Sequence, residues 1–426
     1  MKKFTLIVLL ATVTVASFAQ KVDKAKDYVT KNKFAEAKTE IEAVLADPKN
    51  QKNAEAWYIK CKAYNGIAAD ANLSAQTPDA RWTAFEALKK YIELDDKSGI
   101  LLQFDKYQPV MDIYQGYYRI GATQFNEQKN EEALGNFKSC LTVGEFMAKQ
   151  GWTNVKLDTT VVLYAGIVAE RAKKKDEAAI YYGKLAEAKV SSKEYIDIYK
   201  WLTDYYFQDK KDMATAQKFL GLGKEVFPQD TFWGTYELEM LRDAGDKKAL
   251  FAKYEEVIAQ NPNNHENIFN YGVEMYQEAY KPEIKERPAN SVETIAKVEE
   301  QMKKVIALKP EYVSAYLVLG QISYNRGIDV NNINKAIRPP AGGKLKPEEL
   351  KKKEDLRNEA GKHFDAAIPY FEKIDALLGS KGKLTGSEKQ NLKEAYDLLT
   401  TIYDVRGNKE KMKIYEEKFI NVDKTH

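Results

Sequence analysis

The residues that could carry catalysis or bind a metal are few in this chain, and they are widely spaced. Its three histidines are His265, His363 and His426, and no H-E-x-x-H pair places two of them on one helical turn as a zinc protease requires. The only cysteines are Cys61 and Cys140, so no C-x-x-C pair offers a structural zinc site. "AGGKLK" lacks the spacing of a phosphate-binding loop, and no G-x-S-x-G elbow occurs. We therefore expect no enzyme, no cofactor and no metal.

Charge and composition narrow the classes of partner. The formal net charge of the 426 residues is +3, and the basic residues are spread along the chain. Nucleic-acid binding normally requires a basic stripe or patch, so we expect no nucleic-acid partner. Tyrosine is the commonest aromatic residue, with 27 Tyr against 17 Phe and 5 Trp. Tyrosine suits surfaces that are half buried and half wet, as in binding interfaces.

Prolines at a fixed spacing indicate the secondary structure of the chain. Pro228 and Pro262 lie 34 residues apart, and each closes an apolar helical stretch, "AQKFLGLGKEVFP" and "ALFAKYEEVIAQNP". A third copy, "AKVEEQMKKVIALKP", ends at Pro310 after an insertion of 14 residues. A regular period of this length indicates an array of small helical units.

Small residues recur inside each period. Gly121 precedes Ala133 by 12 residues, and Gly166 precedes Ala178 by the same interval. Gly320 follows Tyr316 and Leu319 in "AYLVLGQISY". A glycine costs about 1 kcal/mol against alanine inside a helix, which indicates that a second helix packs closely on it. The period, the closing proline and this W-x-x-L-G-like pattern resemble the tetratricopeptide repeat (TPR).

The resemblance implies an all-α fold, a TPR helix-turn-helix solenoid forming a right-handed superhelix of about nine helix pairs with loop insertions. We expect residues 1–19 to be a signal peptide and residues 20–426 to be one TPR array. The match is weakest in the fifth, sixth and ninth pairs, where Asp204, Leu238 and Thr400 replace the small residue. A largely charged second helix is expected to begin at Pro347, because proline favours the first turn of a helix.

The resemblance also predicts a binding groove. In this family the concave groove is lined by first-helix residues three before, one after and four after the small position. These positions select a set of aromatic residues: Tyr118, Phe125, Trp201, Tyr205, Phe269, Tyr276 and Tyr324. Family members that clamp a carboxylate use Lys, Asn and Arg there, so we expect an aromatic groove in this chain. The alternative is that the rings fill contacts between adjacent repeats.

The first residues predict export. "MKKFTLIVLLATVTVASFAQ" has two lysines, an apolar run shorter than a membrane span, and small residues before Gln20. We expect a periplasmic or outer-membrane-associated protein of a Gram-negative cell, with no transmembrane segment after cleavage. Cys61 and Cys140 occupy positions that favour small apolar residues, so they are expected to be buried free thiols.

These observations favour a TPR scaffold that binds a protein or peptide partner in the cell envelope. The alternative is a nutrient- or glycan-binding protein like the SusD-like family, whose members also contain such repeats. Those proteins are normally lipoproteins with long insertions, and no cysteine lies near the expected cleavage point.

The leader makes a testable prediction about the mature chain. The small residues Ser17 and Ala19 place signal-peptidase cleavage after Ala19. N-terminal sequencing of protein from the native host should therefore begin at Gln20 or its cyclised form. Recovery of the chain from the cytosol with Met1 retained would contradict export.

Overall fold

The computed structural model describes residues 22–95, 99–340 and 343–426; the predicted signal peptide lies outside these ranges. The described residues form helices and connecting turns, without a strand. The helices of the first half are α1 (22–30), α2 (Phe34–Leu45), α3 (Ala54–Ala69), α4 (Ala71–Gln76), α5 (Ala80–Leu94), α6 (Ile100–Phe104), α7 (Gln108–Asn126), α8 (Asn130–Lys149), α9 (Thr159–Arg171) and α10 (Lys175–Glu187). Those of the second half are α11 (Ile196–Asp204), α12 (Met213–Val226), α13 (Phe232–Ala244), α14 (Lys247–Gln260), α15 (His265–Ala279), α16 (Ser291–Leu308), α17 (Val313–Ala336), α18 (Pro347–Leu378), α19 (Gly386–Val405) and α20 (Lys409–Thr425).

The helices pack as antiparallel pairs within two compact units, Met1–Asp230 (unit 1) and Thr231–His426 (unit 2). The pairs of unit 1 are α1/α2, α3/α5, α7/α8, α9/α10 and α11/α12, and those of unit 2 are α13/α14, α15/α16, α17/α18 and α19/α20. Nine pairs in the described ranges confirm the all-α helix-pair fold. The predicted extent of a single array, 20–426, remains a prediction.

Local sequence sets where the helices begin. The side chains of Asp158, Asp212 and Asp246 each accept a backbone N–H in the first turn of the helix that follows. Such caps satisfy donors that have no partner within the helix. The charged helix predicted at Pro347 is α18, which runs for 32 residues with that proline in its first turn. Its inward face carries Phe364, Phe371 and other buried apolar residues of the unit 2 core.

The small positions receive side chains from the second helix of the same pair. A Cβ built on Gly121 would lie 3.0 Å from the nearest ring atom of Phe137, and one on Gly166 would lie 2.4 Å from the ring of Tyr182. The distance is 2.4 Å from Gly320 to the ring of Phe371 and 2.2 Å from Gly272 to the thioether methyl of Met302. The predicted close approach at Gly320 is confirmed. The neighbour is an aromatic ring and not the partner backbone. We use the term glycine seat for a glycine of a first helix whose Cβ position is filled by a side chain of the second helix.

The pairs without a glycine seat are built differently. In the fifth pair, α11 ends at Asp204 and continues as a π-helical turn over Tyr205–Asp209. Such π-helical turns are rare and mostly a single turn long. In the sixth pair Leu238 is buried, and the Tyr254 ring of α14 stacks on Tyr271 of α15 at 5.3 Å. The two pairs therefore form despite the missing small residue.

Both cysteines are buried free thiols, as the sequence predicts. Burial raises the pKa of each thiol to about 12, so Cys61 and Cys140 stay protonated at neutral pH. Within the described ranges no helix combines the length and apolar character that crossing a membrane requires.

The glycine seats predict opposite effects for the same substitution. Gly166→Ala should destabilise the chain by about 1–3 kcal/mol, because the added methyl group must displace the Tyr182 ring. Gly221 lies in α12 of the same unit with nothing within 4 Å of its Cβ position. Gly221→Ala should therefore stabilise by about 0.5–1 kcal/mol.

Gly320→Ala should behave like Gly166→Ala, and adding Phe371→Leu should restore part of the loss. Thermal melting followed by circular dichroism measures all four variants. Equal melting temperatures for Gly166→Ala and Gly221→Ala would contradict the close packing of the Tyr182 ring on Gly166.

Candidate binding groove

The predicted groove residues of unit 1 contact rings of neighbouring helices. Trp201 stacks on Tyr205 at 4.9 Å and meets the edge of Tyr182 at 5.1 Å. Tyr205 is buried at 4% exposure, and its hydroxyl donates to Asp176. These two rings therefore join α11 to the preceding pair.

Tyr118 and Phe125 lie on α7 and are both half-buried. Phe125 meets Tyr164 of α9 edge-on at 5.2 Å, and the Arg171 guanidinium lies 4.6 Å from the centre of its ring. Tyr118 lies 6.3 Å from Phe137, the ring seated on Gly121. Phe125 therefore contributes to the contact between the third and fourth pairs, and Tyr118 to the contact within the third pair.

The groove residues predicted in unit 2 are Phe269, Tyr276 and Tyr324, and each is half-buried. Phe269 packs edge-on against Tyr312 at 5.0 Å, and Tyr324 lies 5.6 Å from Phe364. The Tyr276 hydroxyl accepts a hydrogen bond from Asn325 at 2.8 Å, and burial raises its pKa to about 12. The structure thus places all seven predicted residues in contacts between helices; whether any of them also binds a ligand stays a prediction.

The insertion between α15 and α16 closes over part of this surface. Arg287 forms two hydrogen bonds to the carboxylate of Asp329 on α17, at 2.6 and 2.8 Å. Its guanidinium also lies 4.3 Å from the centre of Tyr280, which stacks on Tyr276. A cavity of about 130 Å³ remains beneath. The chain's own loop therefore covers the rings at this point.

A larger and polar pocket lies in unit 1, among the first helices of three successive pairs. Its volume is about 620 Å³, and its polar lining comprises Lys62, Asn65, Arg81, Asp105, Asp112 and Arg119 among others. Applying the groove spacing to the small position at Cys61 selects Tyr58, Lys62 and Asn65. At this end of the chain the spacing therefore selects two polar side chains beside one aromatic ring. Nothing in the spacing identifies Arg81, which comes from the second helix α5.

Two buried side chains of this pocket have polar atoms without a hydrogen-bond partner among the described residues. Asn65 is 8% exposed; its Nδ2 donates to the Pro109 carbonyl at 3.2 Å, and its Oδ1 accepts nothing. Arg81 is 9% exposed and donates to the carbonyls of Asp112 and Ala68 at 3.2 and 2.9 Å, while its Nε–H has no acceptor. Unpaired buried polar atoms cost about 1–3 kcal/mol each, so they mark places that a ligand can complete. Arg81 lines a second cavity as well, beside Trp82 and Tyr117.

The charges of the pocket are only partly balanced. Burial acts to raise the pKa of Asp105, but hydrogen bonds from Lys62 and Tyr58 outweigh it and lower the pKa. Asp105 is therefore ionised and neutralises Lys62. Burial lowers the pKa of Arg81, which forms no salt bridge with a described carboxylate. An arginine remains charged even so, and the pocket therefore keeps a buried positive charge.

No group of three His, Cys, Asp or Glu side chains in the described residues is arranged to hold a metal ion. The chemistry that the pocket offers is recognition by hydrogen bonds and charge.

The ring contacts of Trp201 predict a structural role for this residue. Trp201→Ala should destabilise the chain by about 2 kcal/mol, because it removes the stack on Tyr205 and the edge contact to Tyr182. Phe104→Ala is the matched control, since Phe104 is 76% exposed in the same unit and should change stability by less than about 0.5 kcal/mol. Melting curves measure both. An unchanged melting temperature for Trp201→Ala would mean that the ring is displayed for a ligand.

Comparisons with known proteins give structural neighbours only. No protein-family model matches the sequence, and no relative was found among curated proteins. The C-terminal part of a TPR repeat-containing protein from Cytophaga hutchinsonii is similar at 14% identity, covering 72% of this chain and 96% of its own, with a TM-score of 0.46. YrrB, a TPR protein with an unusual peptide-binding site, is similar at 17% identity over 54% of this chain and 95% of its own, with a TM-score of 0.31.

A TPR repeats protein from Bacteroides fragilis is similar at 17% identity, covering 67% of this chain and 98% of its own, with a TM-score of 0.24. Identities this low say nothing about the ligands of this chain. The nine helix pairs, the small positions and their seated side chains are features of the chain itself. This protein has a tetratricopeptide-type fold.

Proposed function

We propose that this chain is an exported scaffold that binds an extended segment of a partner protein in the polar pocket of unit 1. The observation that carries the proposal is the pair of unpartnered buried atoms, Asn65 Oδ1 and Arg81 Nε, in a pocket among first helices. The proposed activity is binding and not catalysis.

The chemistry of the pocket favours a peptide main chain. Each peptide unit offers one N–H donor and one C=O acceptor. The N–H is the donor that Asn65 Oδ1 lacks, and the carbonyl is the acceptor that Arg81 Nε–H lacks. Acidic side chains on that segment would complement the charge of Arg81 and of Arg119, which is exposed and lines the same pocket.

The proposed location is the periplasm or the outer membrane of a Gram-negative cell, within an envelope assembly. Its support is the leader-like sequence of residues 1–19. No specific observation favours the glycan-binding alternative, because the aromatic rings that would suit sugars pack against one another.

Photocrosslinking in intact cells tests the proposal. A photoreactive residue at Thr30, which is exposed and lines the polar pocket, should capture a partner segment that mass spectrometry can identify. The matched control is the same residue at Ile180, which is 61% exposed on the second helix α10 of the same unit. Asn65→Ala should reduce capture at Thr30 by about tenfold, because it removes an acceptor for the partner main chain.

The Asn65→Ala chain must retain its helical content and melting temperature for this comparison. Capture that is equal at Thr30 and Ile180, or that is unaffected by Asn65→Ala, would contradict a partner site in this pocket.

A further inference from the structure

Another cavity of unit 1 is partly enclosed and mostly apolar, and the proposed partner site does not use it. It lies between α7, α8 and α9 beneath the α8–α9 loop, with a volume of about 380 Å³. Its walls are formed by Met111, Leu141, Met147, Trp152, Leu157 and Val162, among others.

The sequence after α8 builds one wall of the cavity. Gly151 adopts the left-handed conformation with φ +72°, and its N–H bonds to the Ala148 carbonyl at 3.0 Å. The N–H of Trp152 bonds to the Met147 carbonyl at 2.9 Å. These two hydrogen bonds form the Schellman motif at the C-terminus of a helix, which brings the next side chain back onto the last turn. The Trp152 ring accordingly meets Phe146 edge-on at 5.4 Å.

The other end of the loop is fixed by Asp158. One carboxylate oxygen accepts the N–H of Val161 at 3.0 Å and caps α9. The other accepts a hydrogen bond from the hydroxyl of Tyr114 on α7. Because both ends of the loop are anchored, the cavity is formed before any ligand arrives, which lowers the entropic cost of binding.

The lining suits the aliphatic part of a ligand. Tyr114 and Asp158 already bond to each other, and most of the remaining lining surface is apolar. Methionines adapt to irregular apolar shapes, and two of them line the cavity. The volume lies at the lower end of the range of about 300–1,000 Å³ that holds small molecules.

Lysines at the rim define the polar end of the ligand. Lys156 is exposed and forms no ion pair with a described residue, and Lys184 Nζ lies 3.6 Å from the Glu145 carboxylate, beyond hydrogen-bonding length. Asp158 also borders the cavity, but both of its oxygens are occupied by Val161 and Tyr114. Glu145 borders the cavity too, but it lies beside Lys184, so Lys156 is the cation left for a ligand.

We propose that this cavity binds a single-chain carboxylate amphiphile, of the fatty-acid class, with its chain among Leu141, Met147 and Trp152 and its carboxylate beside Lys156. The proposal is independent of the partner site, because the two cavities share no lining residue.

Calorimetric titration of the full chain with dodecanoate tests the proposal. One molecule should bind per chain with a dissociation constant in the micromolar range. Leu141→Trp fills the cavity from a half-buried position, and Val155→Asp places a charge at its 56% exposed mouth. Each should weaken binding by about tenfold or more. Val292→Asp is the matched control, because Val292 is 78% exposed in unit 2, and it should leave binding unchanged.

The head group is tested with Lys156→Glu and with 1-dodecanol. Lys156→Glu should weaken dodecanoate binding by about fivefold or more and leave dodecanol binding unchanged. Absence of saturable dodecanoate binding up to about 1 mM would overturn the proposal. If neither Leu141→Trp nor Val155→Asp weakens dodecanoate binding, the ligand does not bind in this cavity. Equal effects of Lys156→Glu on dodecanoate and dodecanol would overturn the carboxylate contact.

Discussion

The contact on which the structure depends is a bulky side chain of the second helix lying where a glycine of the first helix has no Cβ. Phe137, Tyr182 and Phe371 fill this space on Gly121, Gly166 and Gly320. The seated ring is buried, and the helices approach more closely than two ordinary side chains would allow. Hydrophobic burial and dispersion thus offset the helix propensity that each glycine loses, which is about 1 kcal/mol.

The same rings connect one pair to the next within a unit. Phe137 stacks on Tyr164 of α9 at 5.7 Å, and Tyr182 meets Trp201 of α11 at 5.1 Å. A seated ring therefore belongs to two interfaces, that of its own pair and that with the following first helix. Tyrosine suits this position because its ring packs between pairs while its hydroxyl keeps a polar partner: the Tyr182 hydroxyl donates to Glu170 at 2.8 Å. A residue of this kind couples the stability of neighbouring pairs.

The sequence predicted the helix pairs because period and small residues report backbone packing directly. It did not predict the seated rings, since the pattern identifies where space is needed and not which side chain fills it. The aromatic groove shows the same limit: Trp201 and Tyr276 fall on first helices as expected, but sequence spacing cannot decide whether a ring faces solvent or another ring. The polar pocket was missed because the predicted groove was limited to aromatic residues, whereas the spacing from Cys61 selects Lys62 and Asn65, and because Arg81 reaches the pocket from a different helix.

In the polar pocket a glycine makes room for a charged side chain in the same way. A Cβ on Gly116 would lie 1.7 Å from Nη1 of Arg81, so this position must lack a side chain for the guanidinium to occupy its place. The seat holds the arginine against two backbone carbonyls and the Tyr117 ring, without a described carboxylate. A buried charge without a counterion costs stability, whereas a seated aromatic ring contributes to it. A glycine in a first helix thus makes room for an aromatic ring where two helices pack. In the proposed binding pocket it makes room for a cation that can contact a ligand.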